Sequence, residues 1–252
     1  MKQNYIINEV NGNRWLSIPV LDRIDFIRHS FIIKQRDSGV ETNGALKEIA
    51  AKILNLEKAQ VATINQTHSD AIFVHNAERR VSEADEGFDA HITNNSGIAI
   101  SVVTADCVPV LLIDRKKRIV AAVHAGWRGT AKRILQKTVK KMSDSFGSKP
   151  EDMIAGIGPS IGQCCYEVDE KVIEPMEKEF NYLNRFSVQK KENKWHIDLQ
   201  MINREQLIET GLKPANINIV SLCTSCYPDM FYSYRRDGAG TGRMISVVMI
   251  KK

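Results

Sequence analysis

The sequence lacks the features that would place it in several common classes. It has no apolar run of membrane-spanning length and no apolar signal core at its N-terminus. It also has no Walker-type Gly-Lys-Ser/Thr motif, and the Gly-x-Gly at 156–158 is too short for a dinucleotide fingerprint. No long basic run or known nucleic-acid reader motif is present. We therefore expect a cytoplasmic protein with neither a membrane nor a nucleic-acid partner.

Histidine and cysteine are scarce, with six and five residues in a chain of 252. An odd number of cysteines argues against a complete disulfide framework. Six histidines are also few for an oxidase that holds several copper ions, because each copper needs its own histidine ligands. The few residues of these two types are therefore the first candidates for a functional site.

The composition is that of an ordinary soluble globular protein, with 43% apolar and 26% charged residues. Lys and Arg exceed Asp and Glu by 35 to 30, and this net charge of +5 favours an anionic ligand such as phosphate. Predicted strands outnumber predicted helices, and neither repeats nor a linker interrupt the chain. We therefore predict one mixed α/β domain over residues 1–252.

Hydrophobic patterning predicts most of the regular structure. Strands are predicted at 5–10, 15–20, 26–33, 60–64, 71–74, 98–103, 108–113, 119–123, 153–157, 195–199, 217–222 and 244–250. Helices are predicted at 45–56, 130–146, 170–180 and 201–210, with Gly residues at 147 and 211 as stops. Residues 77–90 are acidic and read as a loop.

The segment 97–130 organises the chain, because three apolar runs there surround a cysteine and a histidine. Cys107 lies between the first two runs and His124 ends the third, while His68 follows an earlier predicted strand. Two imidazoles and a thiolate suit Zn²⁺, and three protein ligands leave a fourth position for water or substrate. Copper also binds such ligands. On spacing alone, hydrogen-bonded structural histidines and a core cysteine remain an open alternative.

The remaining cysteines include a Cys223-x-x-Cys226 pair, a spacing found in metal and redox sites. A structural zinc site needs a second pair of cysteines. Cys164 and Cys165 are adjacent in sequence, which is poor geometry for chelating one ion. The redox interpretation requires a thioredoxin-like strand and helix, whereas a Tyr-Pro follows here. Buried thiols are therefore the favoured interpretation.

Arginines near the C-terminus suggest an anion site. Arg235 and Arg236 precede a glycine-rich turn, and Arg243 follows it. Guanidinium groups clamp phosphate or carboxylate well, but ion pairing with Asp237 explains the same spacing. The other histidines have no supporting pattern and are interpreted as structural or exposed; they are His29, His75, His91 and His196.

Several motifs, in order from about residue 60 to the end, closely resemble the YfiH-type laccase-domain family, also called polyphenol oxidase or peptidoglycan editing factor. They are Asn-Gln-Thr-His-Ser-Asp at 65–70, Thr-Ala-Asp-Cys-Val-Pro-Val-Leu at 104–111, His-Ala-Gly-Trp-Arg-Gly-Thr at 124–130, Gly-Pro-Ser-Ile-Gly at 158–162, Ser-Tyr-Arg-Arg-Asp at 233–237 and Thr-Gly-Arg-Met at 241–244.

The resemblance implies a single α-β-β-α layered domain similar to the catalytic domains of cytotoxic necrotizing factor toxins. It implies that His68, Cys107 and His124 are metal ligands at the centre of the active site, with Zn²⁺, or else Cu²⁺, as the cofactor. It also implies phosphorolysis of adenosine, inosine and methylthioadenosine, and deamination of adenosine. A small-molecule nucleoside and phosphate are then the ligands, and we expect a homodimer.

Roles for other residues follow from that chemistry. Asp106, beside the ligand Cys107, is a candidate for proton transfer, and Arg235 is a candidate for holding phosphate. The family's N-terminal arginine corresponds here to Lys34 or Arg36, because the surrounding segment departs from the usual pattern.

Two other activities remain open. One is a cysteine hydrolase or amidase that edits peptidoglycan precursors, with Cys107 as nucleophile and His124 as its base. The other is copper-dependent oxidation of phenols. The hydrolase would keep its activity in the presence of a chelator, whereas a metal enzyme would lose it.

Overall fold

Two large sheets and the helices outside them make up most of the structure. The structure is a computed structural model, and it describes residues 4–36, 43–75 and 87–252. Its strands in chain order are β1 (Ile6–Val10), β2 (Asn13–Ser17), β3 (Ile27–Ile32), β4 (Val61–Ala62), β5 (Ile72–Val74), β6 (Ala90–Thr93), β7 (Ala99–Thr104), β8 (Val108–Asp114), β9 (Ile119–Ala125), β10 (Met153–Ile157), β11 (Glu167–Val168), β12 (Ser187–Lys191), β13 (Lys194–Ile197), β14 (Ile217–Ile219) and β15 (Met244–Ile250). Its α-helices are α1 (Pro19–Asp22), α2 (Asn43–Leu54), α3 (Trp127–Ala131), α4 (Ile134–Phe146), α5 (Glu170–Glu179), α6 (Leu199–Glu209) and α7 (Tyr234–Asp237).

Each large sheet has six strands and mixed direction. The first has the order β1-β2-β3-β15-β7-β4 and the second the order β14-β10-β8-β9-β6-β5, while β11, β13 and β12 form a small third sheet. Most neighbours are antiparallel, but β4–β7, β5–β6 and β10–β14 run parallel. The chain therefore has the mixed α/β fold that its sequence predicts.

The alternation of side chains along the central strands explains how the layers stack. In β8, Val110 and Leu112 pack with α4, whereas Leu111 and Ile113 pack with residues of the first sheet. The outer face of that sheet is covered by α2. A fully apolar strand buries both faces, so β8 and its neighbours form the middle of an α-β-β-α stack. The likeness to cytotoxic necrotizing factor domains remains a prediction.

The predicted helix from residue 130 is wrong in its start and continuity. The chain instead forms α3 and then α4, with a break at Arg133, whose φ of 62° lies in the left-handed region. The Arg133 guanidinium donates to Glu179 Oε2 at 3.0 Å and Glu209 Oε2 at 3.2 Å. These long-range contacts hold a backbone conformation that the apolar stripe of α4 does not reveal.

Other differences come from short or paired elements. The predicted strand 15–20 ends at Ser17, because Pro19 begins α1. The strand β6 was not predicted; it forms by pairing antiparallel with β9 and parallel with β5. Much of the predicted acidic loop at 77–90 lies outside the described residues. Among the described helices, even α4, with 13 residues, is too short and polar to cross a membrane.

Burial of His29 predicts a pH-dependent stability. Its Nε2 accepts the Ile18 N–H at 3.0 Å, and burial lowers its pKa to about 4, although Asp22 opposes this shift. In the unfolded chain His29 binds a proton below about pH 6.5, whereas in the folded protein it stays neutral down to about pH 4. His29 therefore does not lower the free energy of unfolding above about pH 6.5, and lowers it progressively between about pH 6.5 and 4. We expect His29→Gln to remove about 3 kcal/mol of this pH-dependent loss.

Urea unfolding of both proteins between pH 7 and pH 4 measures the difference. His196→Gln is the matched control, since His196 is only half-buried and its Nδ1–H donates to the backbone carbonyl of Gln163 at 2.7 Å. Parallel stability curves for wild type and His29→Gln would show that His29 is not the titrating group.

Candidate metal centre

The structure brings together the three residues that the sequence proposes as metal ligands. One ligand atom from each of His68, Cys107 and His124 lies within 4.8 Å of the others. His68 Nε2 is 3.9 Å from Cys107 Sγ, and the two imidazole centroids are 4.8 Å apart at an interplanar angle of 78°. His124 is buried, Cys107 is half-buried and His68 is exposed. The group is therefore anchored in the sheet and open on the His68 side.

Strand ends and tight turns hold these side chains in place. His124 lies in β9, Cys107 immediately precedes β8, and His68 lies in the loop between β4 and β5 with a left-handed φ of 58°. Gly126 completes the approach: a Cβ there would lie 3.0 Å from Cys107 Sγ and 3.0 Å from His68 Cδ2. A side chain at position 126 would therefore push the ligands apart.

A single buried carboxylate orients both histidines. Asp89 is fully buried and accepts the backbone N–H groups of Thr67 at 3.2 Å and His68 at 3.1 Å, together with that of Ser69. Its Oδ1 also lies 2.6 Å from His124 Nδ1. Sequence patterns did not single out Asp89, because it ends an acidic stretch and composition does not separate it from the solvated acids before it.

The electrostatics of the group favour a charged thiolate beside a charged imidazole. Burial raises the pKa of the Cys107 thiol, but His124 and His68 outweigh it and bring the pKa to about 6. Burial lowers the pKa of His124, but Cys107 and Asp89 outweigh it and bring the pKa to about 9. Cys107 is thus ionised near neutral pH, in the form that binds metal.

The donor set fits a metal ion. Because Asp89 occupies His124 Nδ1, the Nε2 of His124 is left for a ligand, as in carboxylate–histidine–metal arrangements. Two imidazoles and a thiolate suit Zn²⁺ or copper, and three protein ligands leave one position for a water or substrate. These residues therefore form a candidate catalytic metal centre.

Asp106 lies next to the centre, but its carboxylate is engaged elsewhere. It accepts hydrogen bonds from the Thr224 hydroxyl, the Ser233 hydroxyl at 3.0 Å and the Arg235 N–H at 2.7 Å. Its backbone φ of 86° is also unusual for a non-glycine residue. The structure gives Asp106 a positioning role for the C-terminal segment, and proton transfer by this residue remains a prediction.

The two adjacent arginines have different surroundings. Arg236 forms a bidentate ion pair with Asp237, with both contacts at 2.7 Å. This is the ion pairing that the sequence offered as the alternative to an anion site. Arg235 is exposed; its Nη1 donates to the carbonyls of Cys165 at 3.2 Å and Glu167 at 2.8 Å. Its guanidinium also lies 5.4 Å from the Tyr166 ring.

Tyr166 links Arg235 to the metal centre. Burial raises the pKa of this phenol, the Cys107 charge raises it further, and Arg235 and Arg128 lower it. The phenol therefore lies within electrostatic range of the thiolate and of two cations. Arg128 was not predicted as a site residue, although its position four residues after His124 was a usable signal.

The two N-terminal cations lie in other contacts. Lys34 Nζ is 3.4 Å from the Pro228 carbonyl and 5.4 Å from the Tyr232 ring centroid. Arg36 is exposed and pairs with Glu9 of β1 at 3.0 Å. Lys34 thus touches the C-terminal segment that carries Arg235, whereas Arg36 is placed against the edge strand.

Comparison with known proteins identifies the family of this chain. A family model described as multi-copper polyphenol oxidoreductase laccase matches residues 30–251. The chain belongs to this laccase family. The resemblance stated from the sequence motifs is therefore confirmed.

Relatives in this laccase family carry nucleoside-enzyme names. A purine nucleoside phosphorylase of Bacteroides thetaiotaomicron is 41% identical over 184 residues, which cover 73% of this chain and 68% of that protein. Adenosine deaminase RL5, from an unknown prokaryotic organism, is 39% identical over 193 residues, 74% of this chain and 73% of that protein. The crystal structure of Bacillus licheniformis hypothetical protein YfiH matches with a TM-score of 0.89 and 28% identity, covering 97% of this chain and 99% of that chain.

The description of the laccase family refers to several copper ions, which would need several groups of histidine ligands. Only His68 and His124 of the six histidines lie in the metal group. His75 and His91 are buried and pair with each other at 3.2 Å, whereas His29 and His196 bond to backbone groups. All six lie in the described ranges, and two of them belong to the candidate metal group.

Proposed function

We propose that this chain is a zinc-dependent purine nucleoside enzyme, formed by one domain over residues 1–252. Its reactions are phosphorolysis of adenosine, inosine and methylthioadenosine, and deamination of adenosine. The observation that carries the proposal is the three-ligand group, which keeps one coordination position and opens on the side of His68. The names of the relatives support the substrate class. The single domain is supported by β15, the last strand, which pairs with both β3 and β7.

His68, Cys107 and His124 would hold the zinc. When bound, Zn²⁺ lowers the pKa of a coordinated water to about 7. Asp89 keeps His124 oriented and holds the backbone that carries His68, so the ligands do not have to reorganise during turnover. In deamination, water replaces the amino group on the purine ring, and the products are inosine and ammonia.

Phosphorolysis needs a second group of donors, for an anion. A phosphate oxygen forms a bond to the anomeric carbon of the ribose as the bond to the purine nitrogen breaks, giving ribose 1-phosphate and the free base. Arg235 offers a planar set of N–H donors, of which Nη1 is held by two carbonyls. We assign phosphate binding to Arg235, whose guanidinium lies 5.4 Å from the Tyr166 ring centroid, with Arg128 as a further candidate cation.

Incubation of metal-defined protein with adenosine or inosine, with and without phosphate, tests the proposal. Chromatography should show inosine from adenosine without phosphate, and ribose 1-phosphate with the free base when phosphate is added. Protein stripped of metal should regain both activities on addition of Zn²⁺. Failure to convert either nucleoside under all four conditions would contradict the proposed function.

Arg235→Ala should separate the two reactions. Phosphorolysis requires bound phosphate and deamination does not, so phosphorolysis should fall more, by about 2–4 kcal/mol of transition-state stabilisation. Initial rates of ribose 1-phosphate and inosine formation from adenosine measure the split. Lys34→Ala and Arg36→Ala, assayed in parallel, show whether either N-terminal cation shares the role. Equal losses in both rates would move the phosphate site elsewhere.

A cysteine hydrolase is a second candidate function, favoured by one specific contact. Cys107, His124 and Asp89 lie in the order that a nucleophile, its base and an orienting carboxylate require. In that case Cys107 attacks the amide carbonyl, the amine leaves with a proton from His124, and water then hydrolyses the thioester, so no metal is required. Turnover of an amide substrate that survives exhaustive chelation would favour the hydrolase over the zinc enzyme.

A further inference from the structure

The four cysteines outside the metal centre lie together in one cluster. One sulfur from each lies within 4.8 Å of the others; they are Cys164, Cys165, Cys223 and Cys226. Cys226 Sγ is 3.5 Å from Cys164 Sγ and 3.4 Å from Cys165 Sγ. The expectation that these residues are buried thiols is wrong in part, because Cys223 is buried but Cys164 and Cys226 are exposed.

The fold explains how two distant segments meet. One pair of cysteines follows β10 and the other follows β14, and these strands are parallel neighbours in the second sheet. Their carboxyl ends therefore lie at the same edge. Beyond the strands, Ser160 and Cys223 form a further parallel bridge, which keeps the two loops side by side.

The backbone of the cluster approaches the sulfur of Cys223. The Gly162 N–H donates to Cys223 Sγ at 3.2 Å. A Cβ at position 162 would lie 3.2 Å from Cys223 Cβ and 3.3 Å from Cys164 Sγ. Glycine thus lets this loop approach the sulfurs closely.

The spacing of the sulfurs matches metal coordination better than it matches disulfides. A disulfide requires sulfurs about 2.05 Å apart, well below the separations of 3.4 and 3.5 Å seen here. Around Zn²⁺, bonds of about 2.3 Å in a tetrahedron place the sulfurs about 3.8 Å apart. Hydrogen bonds between the four thiols would stabilise the cluster only weakly, since S–H is a weak donor and sulfur a weak acceptor.

We propose that Cys164, Cys165, Cys223 and Cys226 form a second metal site, a closed tetrathiolate site for Zn²⁺. Four protein ligands leave no open position, so the site is structural and its metal takes no direct part in the proposed nucleoside chemistry. It joins the loops after β10 and β14 across about sixty residues of sequence.

The backbone of the cluster also contacts the two adjacent arginines, Arg235 and Arg236. Arg235 donates to the carbonyl of Cys165, and Arg236 donates to the carbonyls of Thr224 at 3.0 Å and Ser225 at 3.2 Å. Metal at the cysteine cluster therefore fixes the backbone groups that hold these arginines. Loss of that metal should loosen Arg235 without removing a ligand of the first centre.

The test counts metal in the full chain with the first centre disabled. Cys107→Ala protein, purified with reduced thiols in the presence of Zn²⁺, should hold one zinc per chain by elemental analysis. Adding Cys223→Ser and Cys226→Ser should reduce this to none, whereas Ser225→Ala in the same turn should leave it at one. A zinc content of none in Cys107→Ala, with four thiols free to react, would overturn the proposal.

Two measurements need no change in the cluster and cover the case in which the serine variants do not fold. Co²⁺ bound to Cys107→Ala should give the intense sulfur-to-cobalt absorption of a tetrathiolate site. The four thiols should resist a thiol reagent until a chelator removes the metal. A weak cobalt spectrum of oxygen or nitrogen coordination, or cysteines recovered as disulfides from protein made under reducing conditions, would reject the site. Iron in place of zinc would retain the site but reject the assigned ion.

Discussion

Cys107→Ala should lose the metal of the first centre and about a thousandfold of turnover, or about 4 kcal/mol of transition-state stabilisation. Cys107 provides the only thiolate of the group, and two imidazoles alone hold Zn²⁺ far less tightly. The fold should survive, because the side chain is half-buried at a strand junction and does not belong to a core cluster.

Metal analysis and nucleoside turnover measure the two losses. His68→Ala is the decisive companion variant. His68 is a proposed ligand of the metal but lies outside the series of Cys107, His124 and Asp89 that a cysteine hydrolase would use. A zinc enzyme should lose activity in both variants, whereas a hydrolase should lose it in Cys107→Ala alone. Unchanged zinc at the first centre in Cys107→Ala would contradict the ligand assignment.

Where structure is set by local apolar patterning, the sequence predicted it closely. The strands β10 and β15 have the predicted bounds, 153–157 and 244–250, because each is a mostly apolar run bounded by turn or polar residues. The three central strands around Cys107 and His124 were also predicted, and their order placed both side chains at strand ends. Because the ends of neighbouring strands meet in space, Cys107 and His124 come together in the structure as predicted.

Where structure depends on pairing between distant segments, local sequence patterns do not predict it. The short strand β6 contains His91 among few apolar residues and is stabilised by pairing on both sides with β5 and β9. Short strands of mixed polarity carry no strong pattern of their own. For the same reason the sequence did not predict that Asp89, one residue before β6, would reach the metal centre.

The cysteine cluster shows the same limit at the level of a site. Adjacent cysteines look like poor chelators when spacing along the chain is the only information available. The parallel pairing of β10 with β14 supplies the missing fact, because it places Cys164 and Cys165 beside the Cys223-x-x-Cys226 turn. Ligand geometry in that cluster is thus a property of the sheet and not of either segment.

Asp89→Asn should weaken the metal centre by the largest amount of any substitution outside the ligands. The carboxylate accepts hydrogen bonds from three successive backbone N–H groups and lies 2.6 Å from His124 Nδ1. An amide has one acceptor oxygen and places an NH₂ against donors. Loss of such an orienting partner lowers metal affinity by about 10–100-fold.

The same change should destabilise the metal-free protein. Asp89 is fully buried beside His124, and removing one partner of a buried charge pair costs about 3–5 kcal/mol. Asp70→Asn is the matched control: Asp70 is partly exposed and pairs with Lys137 and Lys132 at the surface. That control should change stability by less than about 1 kcal/mol.

Competition with a fluorescent zinc chelator measures the affinity, and urea unfolding of metal-free protein measures the stability. Both losses are expected in Asp89→Asn, and neither in Asp70→Asn. A variant that lost stability but bound zinc with unchanged affinity would show that Asp89 supports only the loop of residues 67–69. A variant with unchanged stability would contradict the buried ion pair with His124. Loss of both properties is the result that follows if one carboxylate orients both histidine ligands.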